Sequence, residues 1–258
     1  MIFYKGGIAL QLYLSVTPQE EQAASRFTRN LCHMAYRIGP QSSLLRREAF
    51  LPGKGGLLAL SDIDAPTISS PEKLTRSILR ECGFQGYSGV VLDFEKHPTD
   101  DKSQFVRCLA GALSPAKKKL FLPQEYAVSG ACAFISSAIS GGSFTEYLEA
   151  SRKQYGTVAL DLQRLTMDFL LPSPTGEGSP MEPAAFQQLQ ARLSPSTFFS
   201  QELCARYFTY QEDRKTHFVL FDDAGTIRRK IQIGSTLGLS TGFLLFPEVR
   251  DLLPQIFS

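Results

Sequence analysis

Short apolar segments alternate with amphipathic segments along the chain. The apolar runs predict buried strands at residues 8–16, 33–38, 57–61, 89–94, 119–123, 132–139, 164–171 and 242–246. Helical periodicity predicts helices at residues 18–31, 70–82, 100–113, 143–153 and 225–237. Ser143 is placed to cap the fourth of these helices, and Asp222 or Asp223 the last. The stretch from Thr157 to residue 171 is compatible with one strand or with two elements.

This alternation predicts a parallel sheet built from strand–helix units. About eight strands in 258 residues favour a closed barrel over an open doubly wound sheet. No GxGxxG or GxxxxGK pattern occurs, which argues against a nucleotide-binding Rossmann fold. We therefore predict the α/β class, with a single (β/α)8 TIM barrel over residues 1–258.

One region departs from this alternation. Residues 172–183 (PSPTGEGSPMEP) are rich in Pro, Gly and Ser and predict a loop. A helical piece (PAAFQQLQARL) follows, and residues 206–222 have the pattern of a β-hairpin, with two aromatic strands around a polar turn. We expect a small β-hairpin and helix insertion at about residues 172–222, between strands 7 and 8 of the barrel.

Composition narrows the classes of function. Hydrophobic residues make up 43% of the chain, enough for a sizeable core. The net charge is only +2 and the basic residues are scattered, so we expect no nucleic-acid partner. No apolar run has the length of a membrane helix, so we expect no membrane partner either. The N-terminal segment is better interpreted as a first strand than as a signal peptide, which predicts synthesis without export and a cytoplasmic location.

Cysteine and histidine usage gives no support to a metal site. The five cysteines are odd in number and widely spaced, as expected for free thiols in a reducing compartment. The three histidines lie far apart in the sequence. We predict neither a metal nor an organic cofactor.

The segment GYSGVVLDFE (residues 86–95) carries the most specific chemical signal. An apolar strand ends there in two carboxylates, Asp93 and Glu95, whose spacing places both side chains on one face. In a barrel, functional groups collect at the carboxyl ends of the strands. Two such acids repel each other, so one should keep its proton near neutral pH, as a general acid requires. The spacing alone is equally compatible with a strand that runs into a solvated, charged loop.

GYSGVVLDFE resembles the fourth-strand motif of glycoside hydrolase family 18, whose usual form is DGxDxDxE. It is most similar to the branch that has GYDGVNIDFE, which includes spore-cortex and peptidoglycan-processing enzymes. Further segments resemble the family's third, fifth, seventh and eighth strands, at LLALSD (57–62), KLFLPQEY (119–126), RLTMDFLLPSP (164–174) and, with the preceding hairpin and helix, residues 207–246. The resemblance implies a bacterial origin, a spore-related setting and a glycan ligand.

The resemblance also implies a mechanism assisted by the substrate. Glu95 would protonate the glycosidic oxygen, while the substrate's own N-acetyl oxygen would attack the anomeric carbon. Asp93 would orient and stabilise the acetamido group. The implied substrates are β-1,4-linked glycans that contain N-acetylglucosamine, such as peptidoglycan or chitin fragments.

The chain departs from the family pattern at several positions. Its sixth strand, AFISSAISGG, lacks the family's tyrosine, and Tyr126 is the candidate substitute. The chain has no Trp, and Phe246 stands where the family's eighth strand offers one as the floor of a sugar site. Asp62, Gln124 and Glu125 follow barrel strands and are further candidate substrate-binding residues, although Asp62 also suits a surface cap.

Three hypotheses for the function remain open at this stage. The first is a glycoside hydrolase of the family 18 type. The second is a barrel without catalytic activity that binds glycans or serves as a scaffold, which would explain the departures from the motif. The third is a hydrolase that does not use acetamido assistance, which would need a second carboxylate near Glu95, with Glu125 or Asp62 as candidates.

Overall fold

The computed structural model describes residues 10–47, 53–65, 67–173 and 176–258. Its strands, in chain order, are β1 (Gln11–Val16), β2 (Leu31–Gly39), β3 (Ser43–Arg46), β4 (Leu57–Ser61), β5 (Gly89–Asp93), β6 (Lys119–Pro123), β7 (Cys132–Ser136), β8 (Val158–Asp161), β9 (Thr166–Leu171), β10 (Ser179–Pro180), β11 (Phe198–Ser200), β12 (Ala205–Glu212), β13 (Lys215–Phe221) and β14 (Thr241–Leu245). The helices are α1 (Glu21–Ala24), α2 (Pro71–Gln85), α3 (Asp100–Leu113), α4 (Phe144–Tyr155), α5 (Pro183–Leu193), α6 (Ala224–Thr236), α7 (Phe246–Val249) and α8 (Leu253–Ile256).

Eight of these strands form a closed parallel barrel, which confirms the predicted fold class. Their order is β1, β14, β8, β7, β6, β5, β4, β2, and the pairing of β2 with β1 closes the ring. Seven of the eight apolar runs that predicted buried strands supply strands of this barrel, because both faces of a parallel strand are covered. The helices α2, α3, α4 and α6 lie between successive strands, as a (β/α)8 barrel requires.

Large side chains fill the inside of the barrel. Phe243 on β14 lies at the centre, with ring centroids 5.6 Å from Tyr13, 5.1 Å from Phe121 and 5.0 Å from Phe134. Such layers of inward-pointing side chains make the barrel a packed core rather than a pore. Any ligand site must therefore lie above this layer, at one mouth of the barrel.

The seventh barrel strand differs from the one predicted. It is β8, Val158–Asp161, and not the segment 164–171. That segment forms β9, which pairs antiparallel with β13 in a separate sheet of order β10-β9-β13-β12-β11. The stretch from Thr157 is thus two elements, and in the second, β9, only Phe169 is buried.

The residues between the seventh and eighth barrel strands form more than a hairpin. The hairpin predicted at 206–222 is present as β12 and β13, and the predicted helical piece is α5. The predicted loop 172–183 contains the two-residue strand β10 among its described residues. The whole sheet starts at Thr166, earlier than the residue 172 expected from the sequence.

Two predicted helices end elsewhere than expected. The first is reduced to α1, because between Thr17 and Asn30 the sequence buries only Ala24 and offers no continuous apolar face. The second, α2, continues through Gly83 and ends before Gly86, whose left-handed backbone (φ 73°) suits a helix terminus. Ser143 and Asp223 cap α4 and α6, as predicted.

A fully buried ion pair joins the antiparallel sheet to the helical layer. Asp222, directly after β13, accepts a hydrogen bond from Lys230 Nζ on α6 at 2.7 Å, and neither side chain is exposed. The same carboxylate accepts the backbone N–H of Leu165 at 3.1 Å and the Thr226 hydroxyl at 2.7 Å. Three donors thereby compensate for the burial of this carboxylate.

We expect Lys230→Met to lower the free energy of unfolding by about 3–5 kcal/mol, because it leaves a buried carboxylate without its counter-charge. Chemical denaturation measures this loss. The double variant Asp222→Asn/Lys230→Met removes both charges and should lose less than the single variant.

The matched control is Arg192→Met, which removes an exposed pair between Arg192 and Glu212 (side chains 56% and 43% exposed). Here we expect a change of less than about 1 kcal/mol. Equal losses for the two single variants would show that burial of the Asp222–Lys230 pair contributes nothing particular to stability.

Candidate active site

A cleft of about 750 Å³ opens at the carboxyl ends of the barrel strands. Ser15, Asp93, Pro123, Ser136, Asp161 and Leu245, which end or nearly end their strands, all line it. Met167 and Pro180, from β9 and β10 of the antiparallel sheet, line it as well. The volume is in the range of small-molecule and oligomer sites, and this mouth is where barrel enzymes carry their chemistry.

The floor of the cleft is apolar and aromatic. Phe134 and Phe243 line it with their rings 5.0 Å apart in an edge-to-face arrangement. Phe134 is partly exposed, whereas Phe243 is buried beneath it. An aromatic face of this kind packs against the apolar face of a sugar ring.

Asp93 ends β5 and lines the cleft, as the sequence predicted for the fourth barrel strand. The pKa of its carboxyl is raised above the usual value. Burial is the main cause, and the negative charges of Glu95 and Asp62 add to it.

Glu95 is exposed and directly follows Asp93 and Phe94 in the sequence, and these two residues line the cleft. It is not itself among the lining residues, but its charge is close enough to raise the pKa of Asp93. Its backbone N–H donates to Asp62 Oδ1 at 3.1 Å. The position of Glu95 thus depends on a side chain from the end of the neighbouring strand.

Asp62 is fully buried and does not line the cleft. Its other oxygen accepts a hydrogen bond from Lys102 Nζ on α3, which also lies 5.6 Å from the Phe94 ring. The predicted substrate contact is therefore replaced by a supporting role: Asp62 and Lys102 hold the backbone that carries Glu95. The sequence did not indicate this because a strand-end Asp has the same pattern in either role.

Of the other four candidate substrate-binding residues, two line the cleft and two are buried. Gln124 and Glu125 are exposed and line the cleft. Tyr126 is buried and donates its hydroxyl to the Lys96 carbonyl at 2.7 Å, so that hydroxyl is not presented to a ligand. Phe246 is also buried, in the core between α7 and the barrel, and Phe134 and Phe243 occupy the floor in its place.

Asp161 was missed by the sequence interpretation because the seventh strand was placed too late. It ends β8, lines the cleft and accepts a hydrogen bond from Gln163 Nε2 at 2.8 Å. Burial raises the pKa of its carboxyl from 3.8 to about 6, and the charges of Glu248 and Asp93 add to this. A signal was available: VALD at 158–161 repeats the pattern of VVLD at 90–93.

Among the described residues, the cysteine and histidine side chains do not indicate a metal site. All five cysteines are free thiols. Within residues 10–47, 53–65, 67–173 and 176–258, no three His, Cys, Asp or Glu side chains are grouped so as to hold a metal ion. In the same part of the chain, no helix has the length and apolar character needed to cross a membrane.

Solved structures share this fold. The spore cortex-lytic enzyme SleL of Bacillus megaterium is similar with a TM-score of 0.63 and 16% identity, over 99% of this chain and 76% of that one. A chitinase from Chromobacterium violaceum has a TM-score of 0.66 and 14% identity, over 96% and 98% of the two chains. A family 18 chitinase from Cycas revoluta, solved with (GlcNAc)3, has a TM-score of 0.62 and 14% identity, over 95% and 98%.

These structures have the fold that the sequence resemblance implied. No protein-family model matches the sequence, and no curated protein matches it. The likeness therefore lies in the barrel and its topology, and the chemistry must be argued from the side chains of the cleft.

We expect Asp161→Asn to stabilise the protein in a pH-dependent way. Because the folded-state pKa (about 6) lies above the ordinary value (3.8), charging this group costs folding free energy. The cost is absent below the ordinary pKa and complete above the folded one. Asn keeps the bond from Gln163, so the free energy of unfolding should rise by about 1–3 kcal/mol near pH 8 and hardly change near pH 4.

Thermal and chemical denaturation at the two pH values measure this difference. Glu149→Gln, an exposed carboxylate on α4, is the matched control, and its effect should stay below about 0.5 kcal/mol at both. A pH-independent effect of Asp161→Asn would contradict the raised pKa.

Proposed function

We propose that the protein is a glycoside hydrolase acting on β-1,4-linked glycans that contain N-acetylglucosamine, such as peptidoglycan or chitin fragments. The observation that carries the proposal is Asp93, a cleft-lining carboxyl with a raised pKa, with Glu95 two residues beyond it at the mouth of the barrel. The fold is shared with chitinases and with a spore cortex-lytic enzyme, which supports this class of substrate.

In the proposed reaction Glu95 is the general acid and protonates the glycosidic oxygen. The acetamido oxygen of the substrate attacks the anomeric carbon, and the bond to the leaving sugar breaks as that proton arrives. The Asp93 carboxyl, whose pKa is raised by burial and by neighbouring negative charges, accepts a hydrogen bond from the acetamido N–H, which orients the group and leaves its oxygen free to attack. Water then opens the oxazolinium ion with Glu95 as base. None of these steps requires a cofactor.

The proposed binding surface combines the barrel with the antiparallel sheet. Phe134 provides an apolar floor, Gln124 and Glu125 provide polar groups on one side, and Met167 and Pro180 approach from β9 and β10. Because both parts line one cleft, we propose that residues 1–258 act as a single domain. A spore-associated setting and a location inside the cell extend this proposal through the resemblance to the spore-cortex branch.

The first test is the release of reducing ends from purified peptidoglycan and from chitooligosaccharides. We expect turnover by the wild-type protein and a decrease of at least about 100-fold in Glu95→Gln, because general acid catalysis is lost. The control Glu149→Gln removes an exposed carboxylate in the middle of α4, and this variant should keep full activity.

Retained turnover in Glu95→Gln would assign the acid to another residue. Absence of turnover by the wild-type protein on every glycan would contradict the hydrolase itself.

A second candidate function, a glycan-binding barrel without catalysis, is favoured by two observations. The Tyr126 hydroxyl is buried against a backbone carbonyl, and the chain has no Trp to form a sugar platform. Binding of chitooligosaccharides with no release of reducing ends would support it over the hydrolase.

A further inference from the structure

A short chain of hydrogen bonds crosses the end of the sixth and seventh barrel strands. The Ser136 hydroxyl donates to Gln163 Oε1 at 3.0 Å, and Gln163 Nε2 donates to Asp161 Oδ2 at 2.8 Å. Ser136 and Asp161 are also register partners in the β7–β8 pairing. The first bond fixes which end of the Gln163 amide faces Asp161, so the carboxyl group is held in one orientation.

This arrangement occupies only one oxygen of Asp161. Among the described residues, Oδ1 accepts and donates no hydrogen bond, whereas the group as a whole lines the cleft. A polar atom that is positioned but left unpaired at the wall of a cleft is suited to pair with a ligand.

We propose that Asp161 contacts the bound sugar directly, through the carboxyl oxygen Oδ1 that the Ser136–Gln163 pair leaves free. This inference rests on the proposed glycan-binding function. It adds a substrate-contacting residue on the seventh strand, across the barrel from Asp93 on the fourth. None of the candidates derived from the sequence lies on that strand.

The form of Asp161 that makes this contact is the neutral acid, which donates its proton in a hydrogen bond to an oxygen of the bound glycan other than the acetamido oxygen that attacks the anomeric carbon. Three donors of this wall are already engaged: the Ser136 hydroxyl donates to Gln163 Oε1, one N–H of the Gln163 amide donates to Asp161, and Arg164 Nη1 donates to the Glu248 carbonyl at 3.0 Å and to Asp251 at 2.8 Å. A neutral Asp161 adds a donor beside these engaged groups.

The charged and titratable surroundings favour the neutral form. Burial raises the pKa of Asp161 to about 6, with contributions from Glu248 and Asp93. The titratable or charged groups that line the cleft with it are Cys32, Asp93, Glu125, Tyr147, Arg164 and Glu248. Arg164 is the one cation among these lining residues, and it is paired with Asp251.

The test is the dissociation constant of N,N′,N″-triacetylchitotriose, measured by calorimetry between about pH 4.5 and pH 8. Wild-type affinity should weaken about tenfold as the pH rises through the pKa of Asp161, because the donated hydrogen bond is lost. Asp161→Asn keeps an N–H donor and the partner for Gln163, so its affinity should stay near the wild-type low-pH value across the range. Asp161→Ala should bind about tenfold more weakly at every pH.

Glu149→Gln is the matched control and should reproduce the wild-type pH profile. Thermal denaturation of each variant verifies that it is folded at the pH of the measurement. An unchanged pH profile in Asp161→Asn, in a protein that binds the trisaccharide, would overturn the role of Asp161 alone. No binding and no turnover by the wild-type protein at any pH would overturn the proposed function together with this inference.

Discussion

The buried pair between Asp62 and Lys102 is the interaction on which the candidate site depends. Asp62 directly follows β4, the third strand of the barrel, and is fully buried. Its negative charge therefore requires a counter-charge and hydrogen-bond donors. Lys102 provides the counter-charge, and the backbone N–H of Glu95 donates a hydrogen bond to the same carboxylate. The burial of one carboxylate thus determines where the chain runs after the fourth strand, and hence where Glu95 lies relative to Asp93.

The acidic groups at the mouth of the barrel differ in their burial and in whether a cation is paired with them. Asp62 is neutralised by a lysine, Asp93 and Asp161 are half-buried without a paired cation, and Glu95 and Glu248 are exposed. Burial, with the added effect of neighbouring negative charges, raises the pKa of Asp93 and of Asp161. Acid–base chemistry on a glycan requires such differences between neighbouring carboxyls.

The antiparallel sheet extends the barrel without interrupting it. The chain leaves the seventh strand at Asp161, forms the sheet from Thr166 onward, and returns through α6 to the eighth strand. Asp222 fixes this return, because Lys230, Thr226 and Leu165 converge on it from the helix and from the start of the sheet. The same segment brings Met167 and Pro180 to the cleft, so the connection that the Asp222 contacts stabilise also shapes the site.

The sequence by itself determined the barrel, most of its strands and the position of Asp93 at a strand end, because buried parallel strands require continuous apolar runs and these are local. It also indicated Gln124 and Glu125, which follow such a run directly. Tertiary structure decided which segment forms the seventh barrel strand. VALD and the segment from Thr166 are both apolar enough for a strand, and only the pairing of VALD with β7 and β14 places it in the barrel. Tertiary structure also decided the burial of three candidate site residues, Asp62, Tyr126 and Phe246. Their residue types suit a functional site, but whether a side chain is buried depends on packing by residues that are distant in the sequence.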